Sequence, residues 1–150
     1  IAIESFNNLD LELIIIGEGP QYKNLKSRIL NHQKIKLLGF QSDEALREYY
    51  KNCKAFIMPQ EEDFGLTPIE AMAFGKPVLA LRKGGAIETI VEGKTGEFFD
   101  DPIPEGLADG IRRLNENYSS YNPDYIKNWS QNFSRTKFRQ EILELIKKYE

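Results

Sequence analysis

Two carboxylates eight positions apart, Glu62 and Glu70, bracket Phe64-Gly65-Leu66 within the stretch PQEEDFGLTPIEAMAFGKPV (59–78). On one continuous helix that offset is about 800°, so the two side chains would point about 80° apart and share a site poorly. A loop running into a helix start is the better reading, with Glu62 in the loop and Glu70 on the helix. The amides of Leu66, Thr67 and their neighbours would then lie at the positive end of the helix, where a phosphate binds. Gly65 carries no side chain, so a ligand can approach the backbone there. Glu62 and Glu70 accept hydrogen bonds from hydroxyls. A diphosphate site flanked by two hydroxyl-binding carboxylates is the chemistry that a nucleotide-sugar requires.

The same residues fit a purely structural account. Thr67-Pro68-Ile69-Glu70 has the form of a capping box with proline at the first helical position. Thr67 would accept from a backbone amide near Glu70, and the Glu70 carboxylate would reach back. Glu61, Glu62 and Asp63 also read as a solvated acidic turn. Both accounts stand at the level of sequence.

The elements that must position these groups follow from apolar periodicity. Ala2, Phe6 and Leu9 mark the tail of a helix, and LELIIIG (11–17) a buried strand. Pro20 opens a helix to about Leu30. KIKLLG (34–39) is a second strand, and Ser42 and Asp43 cap a helix whose face is Leu46, Tyr49, Tyr50 and Cys53. AFIMP (55–59) is a third strand. A helix from Thr67 to Phe74 ends at Gly75, and Pro77 stops any continuation. VLAL (78–81) and GEFF (96–99) are further strands around a short helix over 86–93. Leu107, Ile111 and Leu114 mark one late helix; Phe138, Ile142, Leu145 and Tyr149 mark another. NENYSSYNPDY (115–125) reads as a loop. Short apolar strands alternating with amphipathic helices predict an α/β fold, a Rossmann-like parallel sheet with helices on both faces. In such sheets ligands bind beyond the carboxyl ends of the strands. The Glu62–Glu70 segment follows the third strand directly.

Bulk properties narrow the function classes. The 150 residues suit a single domain with a core, at 41% apolar and 29% charged. Twenty basic residues against 23 acidic ones leave no basic footprint for nucleic acid. Cys53 is the only cysteine and His32 the only histidine, which excludes an internal disulfide, a thiolate metal cluster and a multi-imidazole zinc site. Cys53 reads as a buried small hydrophobe. The longest aliphatic run, Leu13 to Ile16, is too short to span a bilayer, and no secretory signal is visible. GEGPQY (17–22) begins like a dinucleotide fingerprint, but Tyr22 stands where the third glycine belongs.

EDFGLTPIEAMAFGKPVLA (62–80) resembles the E-x7-E segment of retaining glycosyltransferases in family 4, a group with the GT-B fold. Glu62 matches the first glutamate, Phe64-Gly65-Leu66 the centre and Glu70 the second glutamate. The resemblance extends through GEGP (17–20), KLLGFQSDEALREYYKNCKAFIMP (36–59) and GGAIETIVEGKTGEFF (84–99), about two thirds of the chain. It implies that Glu70 holds the ribose hydroxyls of a donor nucleotide. It implies that Glu62 acts at the catalytic centre, on hydroxyls of the transferred sugar. The amides from Phe64 through Gly65 and Leu66 to Thr67 would meet sugar and diphosphate. Gln41 would lie against the base, mainly through its backbone, and Gly17 beside the cleft. Gly84-Gly85 fits a turn, and Glu88 a cap or brace for its helix.

Members of that family place an arginine and a lysine, which stabilise the leaving diphosphate, ahead of the helix that Ala2, Phe6 and Leu9 mark. Neither is present in residues 1–150. Nothing aligns Lys76 or Lys83 with that role. The chain is therefore expected to be a donor nucleotide-sugar-binding domain, residues 1–150, cut at its N-terminal edge and lacking an acceptor domain. The resemblance is to mannosyltransferases of polysaccharide assembly, which favours GDP-mannose as donor, with UDP-sugars open. No cofactor is expected, and no metal is invoked, since there is no D-x-D loop. A glycan or lipid-linked acceptor, a cytoplasmic location and peripheral membrane contact through the absent domain complete the expectation. Two other readings compete. A glycosidase would use Glu62 and Glu70 as acid and nucleophile about 5–9.5 Å apart, leaving the phosphate-ready helix start without a purpose. A non-catalytic nucleotide-sugar or sugar-phosphate binding module would use the same residues without transfer.

Overall fold

Val78-Leu79-Ala80-Leu81 is buried at every position, as a strand covered on both faces must be. In the computed structural model, which describes residues 1–149, it is the middle strand of a parallel set. The order along the chain is α1 (Ala2–Asn7), β1 (Leu13–Ile15), α2 (Tyr22–Ser27), β2 (Ile35–Leu37), α3 (Asp43–Asn52), β3 (Phe56–Met58) and α4 (Leu66–Ala73). Then follow β4 (Val78–Leu81), α5 (Ala86–Thr89), β5 (Gly96–Phe99), α6 (Pro104–Glu116), α7 (Pro123–Ser130) and α8 (Arg135–Tyr149). The fold is the expected α/β arrangement of parallel strands flanked by helices.

The strands fall into two hydrogen-bonded sets. β1 pairs with β2 in register Leu13–Ile35, and β4 pairs with β3 (Val78–Phe56) and β5 (Val78–Gly96), all parallel. Among the described residues no ladder joins the sets, so the single sheet expected from the sequence is two. Side-chain packing carries the continuity instead. Ile3, Phe6, Leu13, Ile29 and Ile35 share one buried cluster with Met58, Met72, Leu79, Phe99 and Leu107. The buried Ser5 hydroxyl of α1 donates to the Pro104 carbonyl at 2.8 Å, tying the first helix to the start of α6.

Several element limits differ from those expected. α2 is six residues and ends at Ser27, well before Leu30. There the Ser27 hydroxyl donates to the Asn24 carbonyl, and the Arg28 and Ile29 amides close three-residue turns onto Leu25 and Lys26. Such local bonding competes with continuation of a helix. α5 is one turn, because Ile90 is already extended. The 115–125 segment is not all loop. It holds a 3-10 turn at Tyr118–Ser120 and the start of α7, where the Asn122 side chain accepts from the amides of Asp124 and Tyr125. Pro123 occupies the first turn of α7, where a missing N–H costs nothing.

α6 is held to β5 by a buried polar network. Glu97, 6% exposed, accepts from the Tyr121 hydroxyl at 2.6 Å and faces the Arg113 guanidinium at 3.5 Å. Arg113 also donates to the Phe98 carbonyl at 2.7 Å. No helix among the described residues is long and apolar enough to cross a membrane.

Candidate functional site

Because every strand pair is parallel, the segments that follow the strands leave from the carboxyl ends of their ladders. These segments are Gly17 after β1, Gln41 after β2, Glu61 to Thr67 after β3 and Gly84-Gly85 after β4. At the first pair, the Gly17 amide donates to the Gly39 carbonyl at 2.9 Å, and Gly17 itself is exposed with open space where a Cβ would stand. The Gln41 side chain folds back, donating to the carbonyls of Phe40 at 2.8 Å and Leu38 at 3.2 Å. Beside it the Phe40 side chain is 75% exposed.

After β3 the chain turns sharply at Gly65, whose φ of +78° is a left-handed conformation that glycine adopts without strain. Met58 Sδ and Pro68 Cγ would each stand 3.3 Å from a Cβ at this position. The turn starts α4 at Leu66, one residue earlier than expected. Gly65 is the N-cap, and no side chain caps the helix. The capping box is therefore absent. Thr67 is the second helical residue, Pro68 the third, and Glu70 the fifth, beyond the first turn. The box fails because the cap lies two residues before Thr67, so Thr67 and Glu70 no longer occupy its defining positions.

Glu62 lies off the helix, as expected, and Glu70 on it. The amides of Leu66 and Thr67 have no acceptor among the described residues. They are the orphan donors of a helix start whose third residue, proline, has no N–H to offer. Phe64 and Leu66 flank them, 45% and 65% exposed. Pro68, Ile69, Ala71 and Met72 on the opposite side are buried. The helix start is thus fixed from behind and open in front.

Glu62 accepts from Gln60 Nε2 at 3.2 Å and is exposed. Glu70 accepts from the Tyr50 hydroxyl at 2.9 Å through Oε2. Tyr50, Glu70, Asp43, Leu46 and Arg47 line a groove of about 290 Å³ between α3 and α4. Asp43 opens α3 two residues after Gln41, so the groove joins the turn after β2 to the Glu70 side of α4. Burial, followed by the bond to Glu70, pushes the Tyr50 phenol well above its ordinary range, so it remains a proton donor.

Three contributors have contacts at the site that the sequence patterns do not state. Periodicity assigns Tyr50 only to a helix face. Gly84-Gly85 fits a turn in the sequence, yet it packs against the acidic loop. The Gly85 amide donates to the Glu62 carbonyl at 2.8 Å, and a Cβ on Gly85 would lie 2.5 Å from the Asp63 carbonyl oxygen. Phe133, beyond α7, sets its ring edge-on to Phe64 at 6.2 Å and to Trp129 at 6.2 Å. Trp129 in turn donates from Nε1 to the Thr89 carbonyl at 2.8 Å. A pair of adjacent glycines before a helix is the one sequence signal for the second; the other two depend on long-range packing.

The site is an open helix start beyond a parallel strand of an α/β fold, with Glu62 before it and Glu70 after it. The family model for glycosyl transferases group 1 matches residues 2–133, and the chain belongs to that family. It is 30% identical over 139 residues to an uncharacterized glycosyltransferase of Methanocaldococcus jannaschii, covering 89% of this chain and 40% of that protein. Over a shorter stretch of 64 residues it is 42% identical to an alpha-1,3/1,6-mannosyltransferase of Dictyostelium discoideum, covering 42% of this chain and 15% of that one. Among solved structures, Anabaena HepE in complex with UDP-glucose superposes with a TM-score of 0.78 at 25% identity, over 97% of this chain and 44% of that one. The chain spans about two fifths of the length of the first of these relatives.

Proposed function

We propose that the chain binds the nucleotide-sugar donor of a retaining glycosyltransferase, one that moves the sugar to an acceptor hydroxyl with its configuration kept. The observation that carries this reading is the pair of unpartnered amides, Leu66 and Thr67, at a helix start that is rigid behind and open in front. Two adjacent N–H donors at the positive end of a helix fit a diphosphate oxygen. As the anomeric carbon–oxygen bond breaks, negative charge grows on the departing diphosphate. Donors already fixed toward that charge stabilise it without further reorganisation. Glu70 takes the ribose hydroxyls, and Glu62, held in the loop, takes hydroxyls of the sugar. The backbone around Gly39 to Gln41 receives the base, and Gly17 leaves the cleft unobstructed beside it.

Mannose is the favoured sugar, supported by the stretch shared with the Dictyostelium discoideum mannosyltransferase. The UDP-glucose held by the Anabaena protein keeps a UDP donor in view. A second domain of the same protein supplies the acceptor site, with a glycan or lipid-linked acceptor. A non-catalytic binding module is the second reading. It would use the same residues without transfer.

The test is calorimetric titration of the chain with GDP, UDP, ADP and their sugars. Binding of a nucleoside diphosphate that Glu70→Gln weakens supports the reading. Absence of binding by every nucleotide in the panel overturns it.

A further inference from the structure

A ribose ligand binds more tightly when its carboxylate is already held at the right angle, and α4 alone does not hold that of Glu70. Glutamate has three side-chain torsions, and Glu70 is exposed. Its one hydrogen bond among the described residues comes from Tyr50, twenty positions earlier on α3. The Tyr50 ring is itself packed against two aromatic neighbours. It stacks on Phe74 at 5.7 Å with an interplanar angle of 15°, and lies tilted on Phe56 at 6.1 Å. Phe74 closes α4 and Phe56 belongs to β3, so the phenol is referenced to the strand and helix that also carry the acidic loop.

We propose that Tyr50 is a positioning residue that holds the Glu70 carboxylate in the orientation for the donor ribose. This rests on the reading of Glu70 as the ribose ligand. The phenol bonds to Oε2, no protein donor among the described residues reaches Oε1, and Glu70 lines the groove between α3 and α4. An ionised carboxylate offers about four acceptor sites, so one donated bond still leaves room for two adjacent ribose hydroxyls. Fixing the carboxylate in advance removes an ordering cost that binding would otherwise carry. For one rotamer-rich side chain that cost corresponds to roughly a 2- to 10-fold change in affinity.

The test compares the native chain, Tyr50→Phe, Glu70→Gln and the double variant. Each is titrated with UDP and GDP and with the 2′,3′-dideoxy form of whichever binds more tightly. Tyr50→Phe keeps the ring and its stacking on Phe74, and a urea midpoint close to native confirms an intact fold. The expected result is a 2- to 10-fold loss of ribonucleotide affinity in Tyr50→Phe, no change toward the dideoxynucleotide, and a smaller effect of Tyr50→Phe in the Glu70→Gln background than in the native chain. Equal losses toward both nucleotides, or no loss toward either, overturn the positioning role while leaving Glu70 in place. If Glu70→Gln does not separate ribose from dideoxyribose, the ribose reading of Glu70 falls, and that of Tyr50 with it.

Discussion

The Gly85 amide donates to the Glu62 carbonyl oxygen at 2.8 Å, joining the segment after β4 to the acidic loop after β3. The neighbouring glycine makes the approach closer still. A Cβ on Gly84 would stand 2.2 Å from the same carbonyl oxygen, and its φ of +56° is left-handed. Gly85 differs in having ordinary helical torsions, so its requirement is for space alone. The two glycines let backbone rest on backbone, and the position of Glu62 follows from that contact.

Gly85→Ala tests this contact. The added methyl meets the Asp63 carbonyl oxygen at 2.5 Å and Phe64 Cα at 2.6 Å, neither of which can rotate away. Overpacking of this kind costs about 1–3 kcal/mol. Urea unfolding should report that loss. Sugar-nucleotide affinity should fall further than affinity for the nucleotide alone, because the displaced loop carries Glu62.

Glu70→Gln separates binding from stability. The glutamine carbonyl can still accept from Tyr50, and Glu70 belongs to no capping box, so the unfolding midpoint should stay near native. Hydrogen bonds from ribose to a charged acceptor contribute about 1.5–3 kcal/mol, so nucleotide affinity should drop roughly ten- to a hundredfold by calorimetry. A loss of stability without loss of affinity would contradict this assignment.

The buried Tyr121–Glu97 bond should behave in the opposite way. Tyr121→Phe removes the 2.6 Å donor and leaves a buried carboxylate oxygen without it. That costs about 1–3 kcal/mol and should leave nucleotide affinity unchanged. The bond also sets a pH dependence. Burial first, then the bond to Glu97, raises the Tyr121 phenol well above the ordinary value of 10.0. The folded value exceeds the unfolded one, so the stabilisation is complete below about pH 10 and declines as pH rises toward the folded value. Unfolding free energy measured between pH 9 and 11 should fall more steeply in the native chain than in Tyr121→Phe.

Residues 1–150 alone should bind nucleotide and transfer no sugar. Transfer needs donor and acceptor held in line, and misplacement of about 1 Å can cost about a hundredfold. The chain spans about two fifths of its Methanocaldococcus jannaschii relative. Incubation with GDP-mannose or UDP-glucose and simple sugar acceptors should give no product by mass spectrometry. Steady transfer would place the catalytic groups elsewhere in these residues.

The amino-acid sequence by itself determined the alternation of strands and helices and the emergence of Glu62 to Glu70 beyond a buried strand. Runs such as Val78–Leu81 and the spacing of Leu107, Ile111 and Leu114 state which faces must leave water, and that is local information. Helix ends are less legible. The start of α4 is set by a left-handed glycine packed between Met58 and Pro68 rather than by Thr67, and the end of α2 by a serine bonding back to its own helix. α7 is hidden because Ile126 and Trp129 are its only aliphatic or indole anchors among polar neighbours, and they gain meaning only against Thr89 and α4. Tertiary structure alone decided that Tyr50 meets Glu70 and that Gly85 meets Glu62. Each pair is separated by twenty residues or more, and periodicity along a chain fixes which side of an element is buried but not which neighbour it will face.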